Sequence, residues 1–307
     1  MKLKLTERRT RGARVSGRGA AVLAAAFALL AVMAPAAFAG KPTGKFAPFS
    51  ECPVTGTNVV TCLYSETTKG EVKLGKTAVP IEAPKKIILQ GGVAENPETG
   101  ASSFVAASGG NTLVKTALPV PGGLLDFVNC KEISEPIERI ACELVFENGT
   151  TGVNATTELA APASSIGIHE GKLISGNGAA LILPIKVKLE NPFLGSECYI
   201  GSTKEPIVLN LTTGTTKPPA GFTALKGSPG TFTYEDESQY AIDHGVSLVE
   251  NDFAVPGASG CGGILFSWLL DPIINAKVGI PATAGNSTAI LKDPLQLASA
   301  EAVKASE

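Results

Sequence analysis

The chain has 307 residues, 44% of them hydrophobic, with 34 glycines, 21 prolines and 26 Lys+Arg against 28 Asp+Glu. That length buries a sizeable core, as one large β domain or two smaller ones. Without residues 1–39, which hold 7 of the basic residues and 1 acidic one, 19 basic and 27 acidic residues remain, a net of −8. So acidic a body argues against nucleic acid and anionic lipid as partners, because like charges repel.

Residues 1–39 read as a signal peptide. Lys2, Lys4, Arg8, Arg9, Arg11, Arg14 and Arg18 form a basic segment opposed only by Glu7. An apolar run of 13 residues follows at 21–33, and Ala37-Phe38-Ala39 supplies a small-residue cleavage site before Gly40. Such a run is shorter than the roughly 17–25 residues a spanning helix needs. The longest later apolar run, 264–270, contains Ser267, so no stable membrane span is expected after cleavage. The predicted destination is secreted, extracellular or at the cell surface, with residues 40–297 as the β-rich domain.

All six cysteines follow the leader: Cys52, Cys62, Cys130, Cys142, Cys198 and Cys261. An even count in an exported chain argues for three disulfides, although sequence alone does not choose the connectivity. Short loops favour Cys52 with Cys62, across turn residues Thr55-Gly56-Thr57-Asn58, and Cys130 with Cys142, across a segment centred on Pro136. Cys198 with Cys261 remains as a long-range link. There is no C-x-x-C and no histidine close in sequence to a cysteine, so zinc is not expected, and no other metal or cofactor is implied.

In chain order, Val60, Cys62 and Tyr64 alternate with Val59, Thr61 and Leu63, a strand apolar on both faces. Further strands are predicted at 70–75 and 86–90, with Pro80 and Pro84 confining the segment between to edges or loops. Residues 91–123 are punctuated by Gly and Pro and read as loop, with weak pairing around Phe104-Val105. The alternation of Ile140, Cys142, Leu144 and Phe146, followed by Asn148-Gly149 and an extended run to 160, predicts a hairpin with a primed turn. Residues 161–179 are small and poor in large apolar side chains, a possible internal boundary or a surface loop.

The clearest pattern lies at 181–216. Ile185, Val187 and Leu189 alternate with Lys186, Lys188 and Glu190, and Ile207, Leu209 and Leu211 alternate with Val208, Asn210 and Thr212. Period-two alternation puts the apolar set on one face of each strand. Cys198 sits on a short strand between them. Residues 213–230 read as loop and 234–237 as exposed acidic surface. Asp271-Pro272 offers an N-cap and first-turn proline for a short helix ended by Gly279. A last strand is predicted at 287–291, and 298–307 as a frayed polar C-terminal tail. The expected fold is all-β and mainly antiparallel: a disulfide-braced sandwich or barrel with long loops and at most short helices.

No catalytic residue is assigned. The two histidines, His169 and His244, stand beside Glu170 and Asp243, and Ser259 lies in Gly257-Ala258-Ser259-Gly260-Cys261. That serine segment departs from the G-D-S-G-G of trypsin-like proteases at Ala258 and Cys261, and Cys261 also breaks the G-x-S-x-G elbow. A glycosidase-type pair would draw on Glu143, Glu147, Glu158 and Glu190, all of which fit the solvent face of their strands. The secreted-hydrolase alternative rests on these carboxylates or on Ser259.

The segments FAPFSECP at 46–53, LPIKVKLENPFLGSECYIGS at 183–202 and LTTGTTKPP at 211–219 resemble uncharacterised secreted proteins of high-GC Gram-positive (actinobacterial) bacteria. The resemblance implies export and a shared disulfide framework, and carries no activity. The leading expectation is an exported β-rich protein with a structural or binding role at or outside the cell surface. Its partner would be a cell-surface component or another protein, of unknown identity.

Overall fold

The computed structural model describes residues 40–121, 134–142, 152–235, 237, 239–292 and 294–307. Lys41–Glu307 packs as one unit. A 3-10 turn at Gly44–Phe49 opens it. The strands are β1 (Val59–Leu74), β2 (Thr77–Glu95), β3 (Ser102–Ala106), β4 (Ala117–Pro119), β5 (Asn154–Leu159), β6 (Gly167–Ile168), β7 (Leu181–Glu190), β8 (Tyr199–Ile200), β9 (Ile207–Leu211), β10 (Ser228–Glu235), β11 (Tyr240–Glu250), β12 (Ala258–Ser259), β13 (Thr288–Lys292) and β14 (Leu295–Ser299). The helices are α1 (Pro136–Cys142), α2 (Glu170–Ser175), α3 (Gly263–Val278) and α4 (Ala300–Ala305).

Two antiparallel sheets form a sandwich-like arrangement, which settles the choice between sandwich and barrel. The first runs β10-β11-β13-β1-β2-β3, with β14 pairing both β1 and β11. The second runs β12-β8-β7-β5-β4, with β6 and β9 also on β7. The main core lies between them, joining Leu63, Leu74 and Leu89 to Leu183, Ile185, Val187, Leu209 and Leu211. Residues 181–216 supply the middle of the second sheet, β7, β8 and β9. Along β9, Ile207, Leu209 and Leu211 are buried while Val208 and Asn210 are exposed, as a period of two requires.

The first sheet is longer-stranded than its sequence reads. The separate strands expected at 60–64 and 70–75 are one 16-residue strand, β1, and 86–90 falls within the 19-residue β2. Pro80 lies inside β2 opposite Glu71. It is tolerated there because β3 pairs β2 only over 91–95, and among the described residues no other strand pairs the outer edge beside Pro80. The β1–β2 turn uses Gly75 at φ +56°, where a Cβ would fall 2.4 Å from the Val278 and Gly279 carbonyls.

Several expectations give way. Residues 140–142 end helix α1 rather than start a strand. Pro136 suits a first helical turn, and a few alternating residues do not distinguish the two periods. The remainder of that hairpin, 143–151, lies outside the described residues. Residues 161–179 do not separate two bodies; Ile166 and Leu173 from this segment are buried. The strand expected last, β13, is followed by β14 and α4. The 298–307 tail is therefore structured, with Val303 0% exposed against Phe49, Cys62 and Tyr240. Alternation at Leu295, Leu297 and a Ser299 cap outweigh the polar look of this end.

The helix expected near 271–279 is 16 residues long and begins at Gly263. Asp271 and Pro272 lie inside it, not at its start. Gly279 does end it, in the left-handed conformation at φ 76°. The helix's length exceeds the short helices expected, because the apolar run 264–270 is itself helical.

Candidate interaction surface

Two of the favoured disulfides are formed, Cys52 with Cys62 and Cys198 with Cys261. The pair Cys130 with Cys142 lies outside the described residues, apart from the backbone of Cys142 at the end of α1. Cys62 belongs to the small outer core that α4 covers. Cys198 and Cys261 belong to the main core, and both are 0% exposed.

Ser259 stands opposite Tyr199 on β8, which stands opposite Lys188 on β7. His169 donates its backbone N–H to the Ala180 carbonyl, at the other end of β7. At about 3.3 Å per residue the two sites lie about 25 Å apart along the strand. His244 is exposed on β11 in the other sheet, opposite Thr231. The structure thus does not bring a histidine and Ser259 together.

Glu158 and Glu190 point from the outer face of the second sheet into a lysine network. Glu158 meets Lys115 at 3.0 Å and Lys186 at 3.6 Å. Burial alone would raise its carboxyl, but Lys115, with Lys186 and Lys188 behind it, leaves it below the usual carboxylate range. Glu190 accepts from the Thr156 hydroxyl and stands 3.9 Å from Lys188. Lys186 also sits 4.1 Å over the Tyr199 ring. These carboxylates are engaged in cross-strand pairs, as a solvated sheet face requires. Glu143 and Glu147 lie outside the described residues.

Two acids on β11, Asp243 and Glu250, are buried, which sequence reasoning did not foresee. Asp243 is 0% exposed, and among the described residues neither of its oxygens meets a hydrogen-bond partner in good geometry. Burial pushes its carboxyl up to about 6, against a weaker downward pull from the Thr231 backbone and His244. Glu250 is 5% exposed, and burial raises its carboxyl too, while the Asp252 and Asn251 amides oppose this. Among the described residues no cluster of His, Cys, Asp and Glu is placed to hold a metal ion. A groove of about 240 Å³ opens between α2 and the first sheet. Its wall carries Phe232 and Tyr234, stacked at 5.9 Å, and its rim carries Glu170 and Gln239.

The feature that departs furthest from ordinary burial is the start of α3. Ile264 is 99% exposed, Leu265 75%, Trp268 66% and Phe266 49%. Single exposed apolar side chains are common; a cluster of large ones marks a contact site. The other end of the helix is conventional. Leu270, Ile274 and Val278 repeat every four residues and enter the main core.

The base of the exposed turns is held by several independent ties. Cys261 is bridged to Cys198 two residues before the helix. The Gly262 N–H donates to the Leu194 carbonyl at 2.7 Å. Asp271, the residue expected to start the helix, instead turns its carboxylate back on the preceding loop. It accepts from the Cys261 N–H at 2.8 Å and the Gly260 N–H at 3.1 Å. Asn275 accepts from the Ala258 N–H at 2.6 Å. Gly262 takes φ +82°, and a Cβ there would come within 2.6 Å of Leu270 and 2.8 Å of Phe266. The exposed side chains therefore project from a rigid mount. The sequence signal was present, an apolar run interrupted only by Ser267 and close to a cysteine; what it lacked was any indication of which side the core lay on.

Together these features define a disulfide-braced antiparallel β-sandwich that presents an apolar helix tip. No helix among the described residues is long and apolar enough to cross a membrane. No protein-family model, curated protein or solved structure matches this chain.

Proposed function

We propose that this chain is an exported binding protein, working at or outside the cell surface, whose contact surface is the exposed start of α3. It belongs, on this reading, with the secreted actinobacterial proteins that its 46–53, 183–202 and 211–219 segments resemble. The observation that carries the binding role is the set of large apolar side chains standing in solvent on a mount locked by Cys198, Cys261 and Asp271. Rigid presentation lowers the ordering cost of an association. Two disulfides support an oxidising destination, and the basic, apolar, Ala-x-Ala leader supports the export route. A hydrolase reading has no comparable support, since Ser259 lacks a histidine and Glu158 and Glu190 are engaged with lysine and threonine.

The chain's single tryptophan is Trp268, so its fluorescence reports on this surface alone. The oxidised protein, diluted to monomer, should show solvent-like emission that iodide quenches. Emission typical of a buried indole would overturn the contact-surface reading. Amino-terminal sequencing of the exported product should begin at Gly40.

A further inference from the structure

We infer that the start of α3 inserts into the interfacial zone of a neutral or zwitterionic phospholipid bilayer, a proposal that rests on the contact-surface reading above. Shape is the first argument. Ile264 and Leu265 project at the first turn, 99% and 75% exposed. They form a convex tip, and the groove between α2 and the first sheet is lined by other residues. A wedge of this kind suits a deformable surface better than the close-packed core of a protein interface.

The polar inventory is the second argument. Within residues 262–270 the only side-chain hydrogen-bonding groups are the Ser267 hydroxyl and the Trp268 indole. The indole N–H is already spent on the Leu265 carbonyl at 3.0 Å. Protein partners are selected by directional polar contacts around an apolar centre. This tip has almost nothing left with which to set a register, and a lipid surface asks for none. An indole whose donor is satisfied internally also enters an apolar medium without leaving that donor bare.

Charge decides which lipid. No Asp, Glu, Lys or Arg occurs between Asp252 and Asp271, and Asp271 is turned inward onto the Gly260 and Cys261 amides. The tip itself is therefore electrically neutral. The body behind it carries a net of −8 without the leader (19 basic against 27 acidic residues), which opposes approach to an anionic membrane. Depth is limited by the backbone. The first turn of α3 has no side-chain cap, so its amides must stay where water or headgroups reach them. Insertion by side chains only, to about 5–10 Å, is the depth of an interfacial element rather than a span.

The test uses the oxidised chain without its leader, its disulfides verified, and vesicles of phosphatidylcholine alone or mixed with phosphatidylglycerol. Phosphatidylcholine should shift Trp268 emission to the blue, and brominated acyl chains should quench it. The shift should be insensitive to salt, and adding phosphatidylglycerol at low salt should weaken it. Ile264→Ser with Leu265→Ser should cut vesicle partitioning by about tenfold or more, with the fold intact because both are exposed. Val208→Ser, an exposed apolar change on β9, should leave it unchanged. Solvent-like Trp268 with no shift on any vesicle overturns the lipid proposal and leaves the contact-surface reading standing. A concentration-dependent blue shift without lipid, at dimer mass, overturns it in favour of a second copy of the chain. Buried emission at every dilution means that the chain's own residues cover the tip, and both readings fall.

Discussion

Helix α4 and the first turns of α3 are both short helical pieces close to a disulfide, and they meet opposite fates. In α4, Ala300, Ala302 and Val303 are all buried, while Glu301 and Lys304 face out. Ser299 caps it by accepting from the Ala302 N–H at 3.1 Å. In α3 the first turns have no side-chain cap and no outward polar set; Ile264, Leu265, Phe266 and Trp268 stand in solvent. The contrast shows that this fold covers an apolar helix face where the sequence supplies a polar reverse side. The α3 tip lacks that reverse side, and once the two sheets have closed on each other its first turns are left in solvent.

The comparison can be broken most severely through the disulfides. Replacing Cys198 and Cys261 by Ser opens a link of sequence separation 63 and should cost about 4 kcal/mol in the chain-entropy model. Replacing Cys52 and Cys62, separated by 10, should cost about 3 kcal/mol. Urea unfolding of the two double variants gives both values, and only the first should also loosen Trp268, read as faster anisotropy decay.

Within α3 itself, Leu270→Ala should lose about 3 kcal/mol, since Leu270 is 1% exposed and its removal leaves a cavity. Leu265→Ala should change stability by no more than about 0.5 kcal/mol. Equal losses at the two positions would mean that the tip is packed, and the contrast between the helices would disappear.

Acid pH sharpens the picture from the opposite side, through a polar group placed in the core. The folded chain holds the Asp243 proton up to about pH 6, against an ordinary value of 3.8. The folded state therefore binds more protons than the unfolded state in between. Its contribution to stability is complete below about pH 4 and is lost as pH rises through about 6, a change of about 3 kcal/mol. Glu250, also raised, tilts stability in the same sense, while Glu158, held low by its lysines, works the other way at lower pH. Asp243→Asn should flatten the slope between pH 4 and 7 in denaturant titrations; an unchanged slope would remove Asp243 as its source.

The smallest effects lie at the helix starts. Gly262→Ala should cost at least about 1 kcal/mol, because φ +82° and the close approach of Leu270 leave no place for a Cβ. Ser299→Ala should remove the α4 cap for about 1 kcal/mol. Thermal melts of the two variants should show similar small shifts, with vesicle partitioning altered only in the first.

The long strands of the second sheet were the legible part of this protein, whereas 91–123, read as loop, holds β3 and β4 and the end of β2. Alternation at 185–190 and 207–211 named the buried faces of β7 and β9, and it failed only at Thr212, which is buried just past the end of β9. The site was legible only as an odd fact, an apolar run beside Cys261. Its direction was misread because Asp271-Pro272 looks like a helix start, and nothing in sequence distinguishes a capping carboxylate from one that reaches back to Gly260 and Cys261. Asp243 and Glu250 were equally silent, since an acid on a strand carries no mark of whether its face meets water.

By itself the sequence determined the buried faces of β7 and β9 and the stop at Gly279, and it favoured the short Cys52 with Cys62 loop, because each depends on neighbours a few residues apart. Tertiary structure decided that 298–307 is buried, that α3 begins at Gly263, and that its first turns face outward. Those outcomes depend on which distant surfaces remain to be covered once two sheets have closed on each other, and no local period encodes that.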